Sequence, residues 1–151
     1  MALCQSKHKV FFWLVLNNRM STRNMLRRRM HLDDYHCVLC QQSSEETLMH
    51  LLFYCPFAKD CWGPGIFSLQ NSSLRLRSFK IGTLQNVSFA LDIFILICWA
   101  TWTMRNDVIF RNKNPSVEDC RRVVTVESLL LLHTTKSRIT PLLESWINSN
   151  L

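Results

Sequence analysis

Apolar residues recur along the chain in blocks of helical length, separated by short polar breaks. The first block spans residues 7–20 and contains an unbroken apolar run at 10–16, which by propensity alone also suits a strand. We favour a buried helix, because no strand partner is evident nearby and several residues fall at helical spacing, namely Val10, Trp13, Leu14 and Asn17.

A second, shorter helix is predicted over residues 23–29. Ser21 and Thr22 offer the N-cap, since a hydroxyl can accept a hydrogen bond from an exposed N–H of the first turn. Leu26 and Met30 share one face, which we expect to point into a core, while Arg23 lies on another face.

A polar connection over residues 31–35 and a tight turn at 37–40 precede a third helical signal. Ser43 and Glu46 match the Ser-x-x-Glu capping box, so a helix should begin there and bury Leu48, Leu51 and Leu52. Pro56 forces the preceding residue out of the helical region, so this helix should end at residue 54 or 55. Pro56 then suits the first turn of another short helix, through Trp62.

The second half of the chain contains the longer helical segments. Gly63-Pro64-Gly65 predicts a clear break in secondary structure. Residues 64–87 are interpreted as a linker between a first domain (1–63) and a helical region (88–151). A long helix is predicted over 88–110 and a break at 112–115. Ser116 should cap the next helix, which has two acids in its first turn, and Thr140 with Pro141 should start a last short helix.

Composition and charge limit the kinds of partner that the chain is expected to bind. Hydrophobic residues make up 48% of the 151-residue chain and charged residues 19%, an ordinary globular balance. The net charge of +7 lies entirely within residues 1–30, which contain seven basic side chains and no acid. Such a patch indicates an anionic partner, with a merely solvated helix face as the competing interpretation.

Two segments imitate targeting signals. Residues 7–16 resemble the start of a signal peptide, but Asn17, Asn18 and Arg19 follow where small cleavage-site residues belong. Residues 87–104 barely reach the length of a membrane span and contain Asp92, so we expect a buried helix and no membrane partner. The expected location is therefore intracellular and reducing, in the nucleus or cytoplasm, where thiols stay available for metal.

Three of the seven cysteines and one histidine have the spacing of a zinc site. The pattern is Cys37-x2-Cys40-x9-His50-x4-Cys55, with His36 and Cys61 as alternative ligands. On one unbroken α-helix, residues five apart point about 140° apart, but the break imposed by Pro56 lets the side chains of His50 and Cys55 converge. Four protein ligands leave no open coordination position for water or substrate, so the site would be structural.

The predicted fold is mainly α: a small zinc-stapled helical module, a linker and two longer helices.

The sequence resembles the zinc-binding domain of plant non-LTR retrotransposon reverse transcriptases. The resemblance rests on KVFFWLVLNNRMSTRNMLRRR, CVLC and EETLMHLLFYCPFAKDCW, in that order, and extends to the later CWATWTMRNDVIFRNK. It implies the zinc ligands Cys37, Cys40, His50 and Cys55, and core positions at Trp13, Leu51, Trp62 and Trp102. Gln41 departs from the family, which often has glycine there.

The resemblance implies descent from a retroelement polyprotein, but no catalytic part is visible. Residues 32–35 read Leu-Asp-Asp-Tyr, which is not the polymerase Tyr-x-Asp-Asp motif, and no two-metal cluster stands out, so we expect neither an enzyme nor a small-molecule substrate. The favoured hypothesis is binding of RNA or DNA through Arg19, Arg23, Arg27, Arg28 and Arg29. The alternative is a structural or protein-interaction fragment, and the oligomeric state stays open.

Overall fold

A computed structural model describes residues 4–40, 42–67, 89–134 and 140–150. Within these ranges the protein is mainly helical, as predicted. The elements are α1 (Ser6–Leu16), α2 (Arg23–Leu26), a π turn (His50–Tyr54), α3 (Pro56–Phe67), α4 (Ala90–Arg111), α5 (Val117–Thr134) and α6 (Thr140–Asn150). Most of the predicted linker, from residue 68 onwards, and Gln41 lie outside the described residues.

Helix α1 forms where the first apolar block predicted it, but it buries the opposite side. The buried residues are His8, Phe11 and Val15, whereas Val10 and Trp13 are exposed. The expectation of Trp13 in the core is therefore wrong. The run is apolar on every side, so its pattern could not specify which face packs against α4.

Helix α2 begins as predicted, with the Thr22 hydroxyl accepting a hydrogen bond from the N–H of Met25 at 3.4 Å. It is shorter than predicted, because the helix ends at Leu26 and residues 27–29 continue as turns. Met30 is 51% exposed, so the prediction that it faces the core is wrong.

The region predicted to start a helix at Ser43 forms a small antiparallel bridge instead. The N–H of Cys37 donates to the carbonyl of Ser44 at 2.9 Å, and His36 bridges Glu45. The predicted capping box is thus wrong; helical structure begins only at Leu48. Leu48, Leu51 and Leu52 are buried as expected.

Helix α3 starts at Pro56 as predicted and is interrupted near the expected end. Gly63 adopts φ 70° and ψ 164°, a kink after which helical structure resumes to Phe67. The positive φ suits glycine because a side chain would be strained there. Trp62 is buried, and its ring contacts those of Phe53 and Phe94 at centroid distances of 5.9 and 5.2 Å.

Helix α4 is the central element of the described structure, since α1, the π turn, α3 and α5 all pack against it. By length and composition alone, Leu91–Arg111 could cross a membrane, but 61% of its most apolar window is buried in the structure. A core helix satisfies the same criterion.

The turn between α4 and α5 combines two local signals. Asn112 ends α4 in the left-handed conformation, at φ 56° and ψ 31°, which asparagine tolerates. The Ser116 hydroxyl accepts a hydrogen bond from the N–H of Asp119 at 3.1 Å and caps α5, as predicted.

In α6, Leu143 is buried and Leu142 is exposed.

A buried ion pair joins the segment just before the π turn to α4. The Arg105 Nη2 lies 2.7 Å from Glu46 Oε1, and the two side chains are 4% and 0% exposed. The same carboxylate oxygen accepts the N–H of Arg23 at 2.9 Å, and Arg105 also donates to the carbonyl of Ser21 at 3.2 Å. Glu46, predicted to cap its own helix, therefore binds the start of α2 and the middle of α4.

Removing one partner of this pair is predicted to destabilise the fold strongly. Arg105→Met would leave the Glu46 carboxylate buried without its cation, at a cost of about 3–5 kcal/mol in the free energy of unfolding. Urea unfolding of the metal-loaded chain measures this loss in the free energy of unfolding. Arg111→Ala is the matched control, since this exposed pair with Asp107 should be worth about 0–1 kcal/mol. Equal losses in both variants would contradict the prediction.

Candidate metal centre

Four side chains from three local structures converge at one end of the module. The ligand atoms of Cys37, Cys40, His50 and Cys55 all lie within 4.8 Å of one another. Cys37 and Cys40 flank the turn after the antiparallel bridge, His50 opens the π turn, and Cys55 follows it. The structure thus brings together the set that spacing predicted.

Two of the six distances between these ligand atoms match the edges of a zinc tetrahedron. Cys37 Sγ and Cys55 Sγ are 3.9 Å apart, and Cys40 Sγ and His50 Nε2 are 3.4 Å apart. Zn–S bonds of about 2.3 Å and Zn–N bonds of about 2.0 Å at tetrahedral angles give edges of roughly 3.8 Å (S–S) and 3.5 Å (S–N). The donor set and its size therefore fit Zn²⁺ with four protein ligands.

The π turn explains how ligands five residues apart reach one ion. The N–H of Cys55 donates to the carbonyl of His50 at 2.7 Å, an i→i+5 bond that fits one additional residue into the turn. His50 and Cys55 thus return to the same side, which an α-turn would not allow. The predicted obstacle was real, and the chain avoids it by a wider turn as well as by the break before Pro56.

Two polar contacts hold the start and the middle of the π turn, and sequence reasoning missed both. The Thr47 hydroxyl accepts a hydrogen bond from the N–H of His50 at 3.1 Å. The indole Nε1–H of Trp62 donates to the carbonyl of Leu52 at 2.8 Å. A Thr three residues before a ligand is a readable cap signal, but the Trp62 contact depends on how α3 folds back.

The protonation chemistry of the four groups suits metal binding. Burial lowers the pKa of His50, which favours the neutral imidazole that a metal requires. The hydrogen bond from the Cys37 thiol lowers the pKa of Cys55, while that bond and burial raise the pKa of Cys37. Burial also raises the pKa of Cys40. These shifts favour the thiolate form at Cys55 and oppose it at Cys37 and Cys40, and a divalent ion would stabilise the thiolate form of all three.

The two alternative ligands lie elsewhere. His36 pairs through Nδ1 with Asp34 and is exposed. Cys61 is buried, and a hydrogen bond with the Cys120 thiol raises its pKa, with burial as the next cause. Among the described residues, neither belongs to the four-residue cluster.

The five arginines predicted to bind nucleic acid differ in their surroundings. Arg23 Nη1 donates to the His36 carbonyl at 3.1 Å and lies 3.3 Å from Asp34 Oδ2. Arg27 pairs with Glu45 at 2.7 Å and lies 4.4 Å from the centroid of the Tyr35 ring. Both therefore help to hold the module together, because each joins α2 or its end to the segment around the bridge.

The remaining arginines are more available. Arg28 and Arg29 are exposed, and neither forms an ion pair within the described part of the chain. Arg19 is exposed and lies over the Trp13 ring. Three of the five guanidinium groups, those of Arg19, Arg28 and Arg29, thus form no ion pair within the described residues.

Comparison with known proteins supports the metal assignment. No curated protein and no solved structure matches the chain. Residues 1–62 match the model of one family, described as zinc-binding in reverse transcriptase. The match includes all four cluster residues and leaves α4, α5 and α6 outside it. The first 62 residues are therefore similar to the zinc-binding domain of reverse transcriptases, a zinc-binding rather than a polymerase unit, and they make up less than half of the chain.

Proposed function

We propose that this protein is a non-catalytic zinc module, derived from a retrotransposon reverse transcriptase polyprotein, that binds RNA or DNA through exposed arginines. Cys37, Cys40, His50 and Cys55 are its zinc ligands. The observation that supports nucleic-acid binding best is the pair Arg28 and Arg29, which are adjacent, exposed and without an acidic partner in the described residues.

The zinc ion in this proposal has a structural role. Four protein ligands complete its coordination, so no position is left for a reacting water or substrate. Three thiolates, a neutral imidazole and Zn²⁺ give the site a formal charge of about −1. Lys59, close enough to lower the pKa of His50 further, supplies positive charge nearby. The site fixes the bridge and the π turn relative to each other, and thereby the α2 region that presents the arginines.

The contact with nucleic acid is electrostatic. Guanidinium groups pair with phosphate oxygens and displace condensed counterions, so such binding carries little sequence preference and weakens with salt. No acidic residue occurs within residues 1–30, and the acids that pair with this segment contact Lys7, Arg23 and Arg27. Plant and non-LTR ancestry belong to the same proposal and follow from the sequence resemblance.

Metal analysis tests the ligand assignment. The wild-type chain is expected to contain about one zinc ion, and Cys40→Ser should lose it, because structural zinc contributes on the order of 10 kcal/mol to such sites. Cys98→Ala is the matched control, since Cys98 is fully buried in α4 and is not part of the cluster. Limited proteolysis should then cut residues 37–62 faster in Cys40→Ser alone. Retention of zinc by Cys40→Ser, or its loss from Cys98→Ala as well, would contradict the assignment.

Salt-dependent binding tests the arginines. For single-stranded RNA, log K should fall linearly with log salt, and Arg28→Gln with Arg29→Gln should reduce the slope by about 1.4, or roughly 0.7 for each lost phosphate contact. Fluorescence anisotropy of a labelled oligonucleotide, titrated at several salt concentrations, measures this slope.

The matched control for this test removes the same charge elsewhere. Arg111→Gln with Arg122→Gln lowers the net charge equally at exposed positions on α4 and α5, and should leave the slope unchanged. Wild-type protein that ignores RNA and DNA at low salt would refute nucleic-acid binding and favour a structural or protein-interaction fragment.

A further inference from the structure

Trp13 is unusual among the tryptophans of this chain because its ring faces solvent. It is 51% exposed, whereas Trp62 is buried and the other three are partly buried. Exposing a large aromatic side chain gives up favourable burial, and exposed aromatic or apolar patches are often interaction sites. Its neighbours on this side of α1, Val10 and Leu16, are exposed too.

The end of α1 is built so that an arginine lies against this ring. Asn18 adopts a positive φ of 50°, its N–H donates to the carbonyl of Val15, and the N–H of Arg19 donates to the carbonyl of Leu14 at 2.8 Å. These two bonds form a Schellman motif, which reverses the chain at the helix end. Arg19 is thereby placed with its Cζ 5.4 Å from the centroid of the Trp13 ring.

The position of Trp13 itself is also fixed at its backbone. The side-chain amide of Asn17 donates to the Trp13 carbonyl at 2.8 Å, and so does the backbone N–H of Asn17, at 3.1 Å. Trp13 and Arg19, which we name the Trp13–Arg19 platform, are therefore an ordered pair with an exposed indole.

The chemistry of this pair fits a nucleobase. An aromatic ring stacks on the face of an unpaired base, and a neighbouring guanidinium can stack as well or contact the phosphate. The absence of acids within residues 1–30 favours an anionic ligand over a neutral apolar protein surface. A membrane surface fits less well, because α1 buries its other face in the protein and leaves only a narrow apolar strip.

We propose that the Trp13–Arg19 platform stacks on one unpaired base, so that the module prefers single-stranded to duplex nucleic acid. This inference rests on the proposed nucleic-acid binding and adds to it the class of ligand. Arg28 and Arg29 would supply affinity for any phosphate backbone, and the platform would select strands whose bases are free.

The test compares three probes of equal length on the full, zinc-loaded chain: oligouridine, an abasic phosphodiester and an RNA duplex. Trp13→Ala should weaken oligouridine binding by about 5- to 150-fold, the range for loss of one base–aromatic stack, and leave the other two within about twofold. Trp13→Tyr keeps an aromatic ring and should retain most of the affinity. Val10→Ala removes an exposed apolar side chain from the same helix and serves as the control.

The outcomes separate this inference from the proposal beneath it. Wild-type protein that binds none of the probes overturns both. Wild-type binding that Trp13→Ala leaves unchanged, or weakens equally for oligouridine and the abasic strand, overturns the platform alone. Trp13→Ala could also leave oligouridine binding unaltered and abolish self-association or binding to anionic vesicles. That result would overturn the platform and assign the exposed ring to a second copy of the chain or to a membrane surface.

Discussion

Glu46 and Arg105 meet at the point where the zinc-binding segment, the start of α2 and the middle of α4 come together. Taking both charges out of water costs several kcal/mol for each ion, and hydrogen bonds to Glu46 Oε1 offset part of that cost. Glu46 Oε2 is buried without a hydrogen-bond partner among the described residues. Glu46 accepts from Arg105 and from the N–H of Arg23, and Arg105 donates further to Ser21 and Asn106. Its guanidinium also lies 4.8 Å from the centroid of the Trp102 ring. The pair therefore specifies one arrangement of three segments.

This arrangement means that the zinc module and α4 share a core. Phe53 from the π turn stacks on Phe94 of α4, and Phe11 of α1 meets Trp99 edge-on at 5.3 Å. The family match ends at residue 62, but the packing continues past that position into α4. A zinc ion held by the four-residue cluster would fix the local geometry of the loop and the π turn, while α4 provides the apolar surface on which they rest.

Sequence reasoning succeeded where the signal was local. The Thr22 and Ser116 caps, the start of α3 at Pro56 and the four-residue cluster each depend on a few neighbouring residues. It failed where the partner is distant. Glu46 matched a capping box three residues after Ser43, but the chain uses it to bind Arg105, 59 positions away. A pattern of short range cannot distinguish these two uses of a glutamate, since the spacing Ser-x-x-Glu is the same in both.

The face of α1 shows the same limit and also bears on function. Its apolar run offers no polar side to mark solvent, so periodicity could not separate Phe11, which packs on Trp99, from Trp13, which does not. The same limit applies to the basic patch, because a count of arginines cannot reveal that Arg23 and Arg27 form ion pairs with acids within the module. Arg28, Arg29 and the Trp13–Arg19 platform are among the exposed groups that the fold does not use for burial or for an internal ion pair in the described residues. At these positions a ligand, rather than the fold, would explain the residue type.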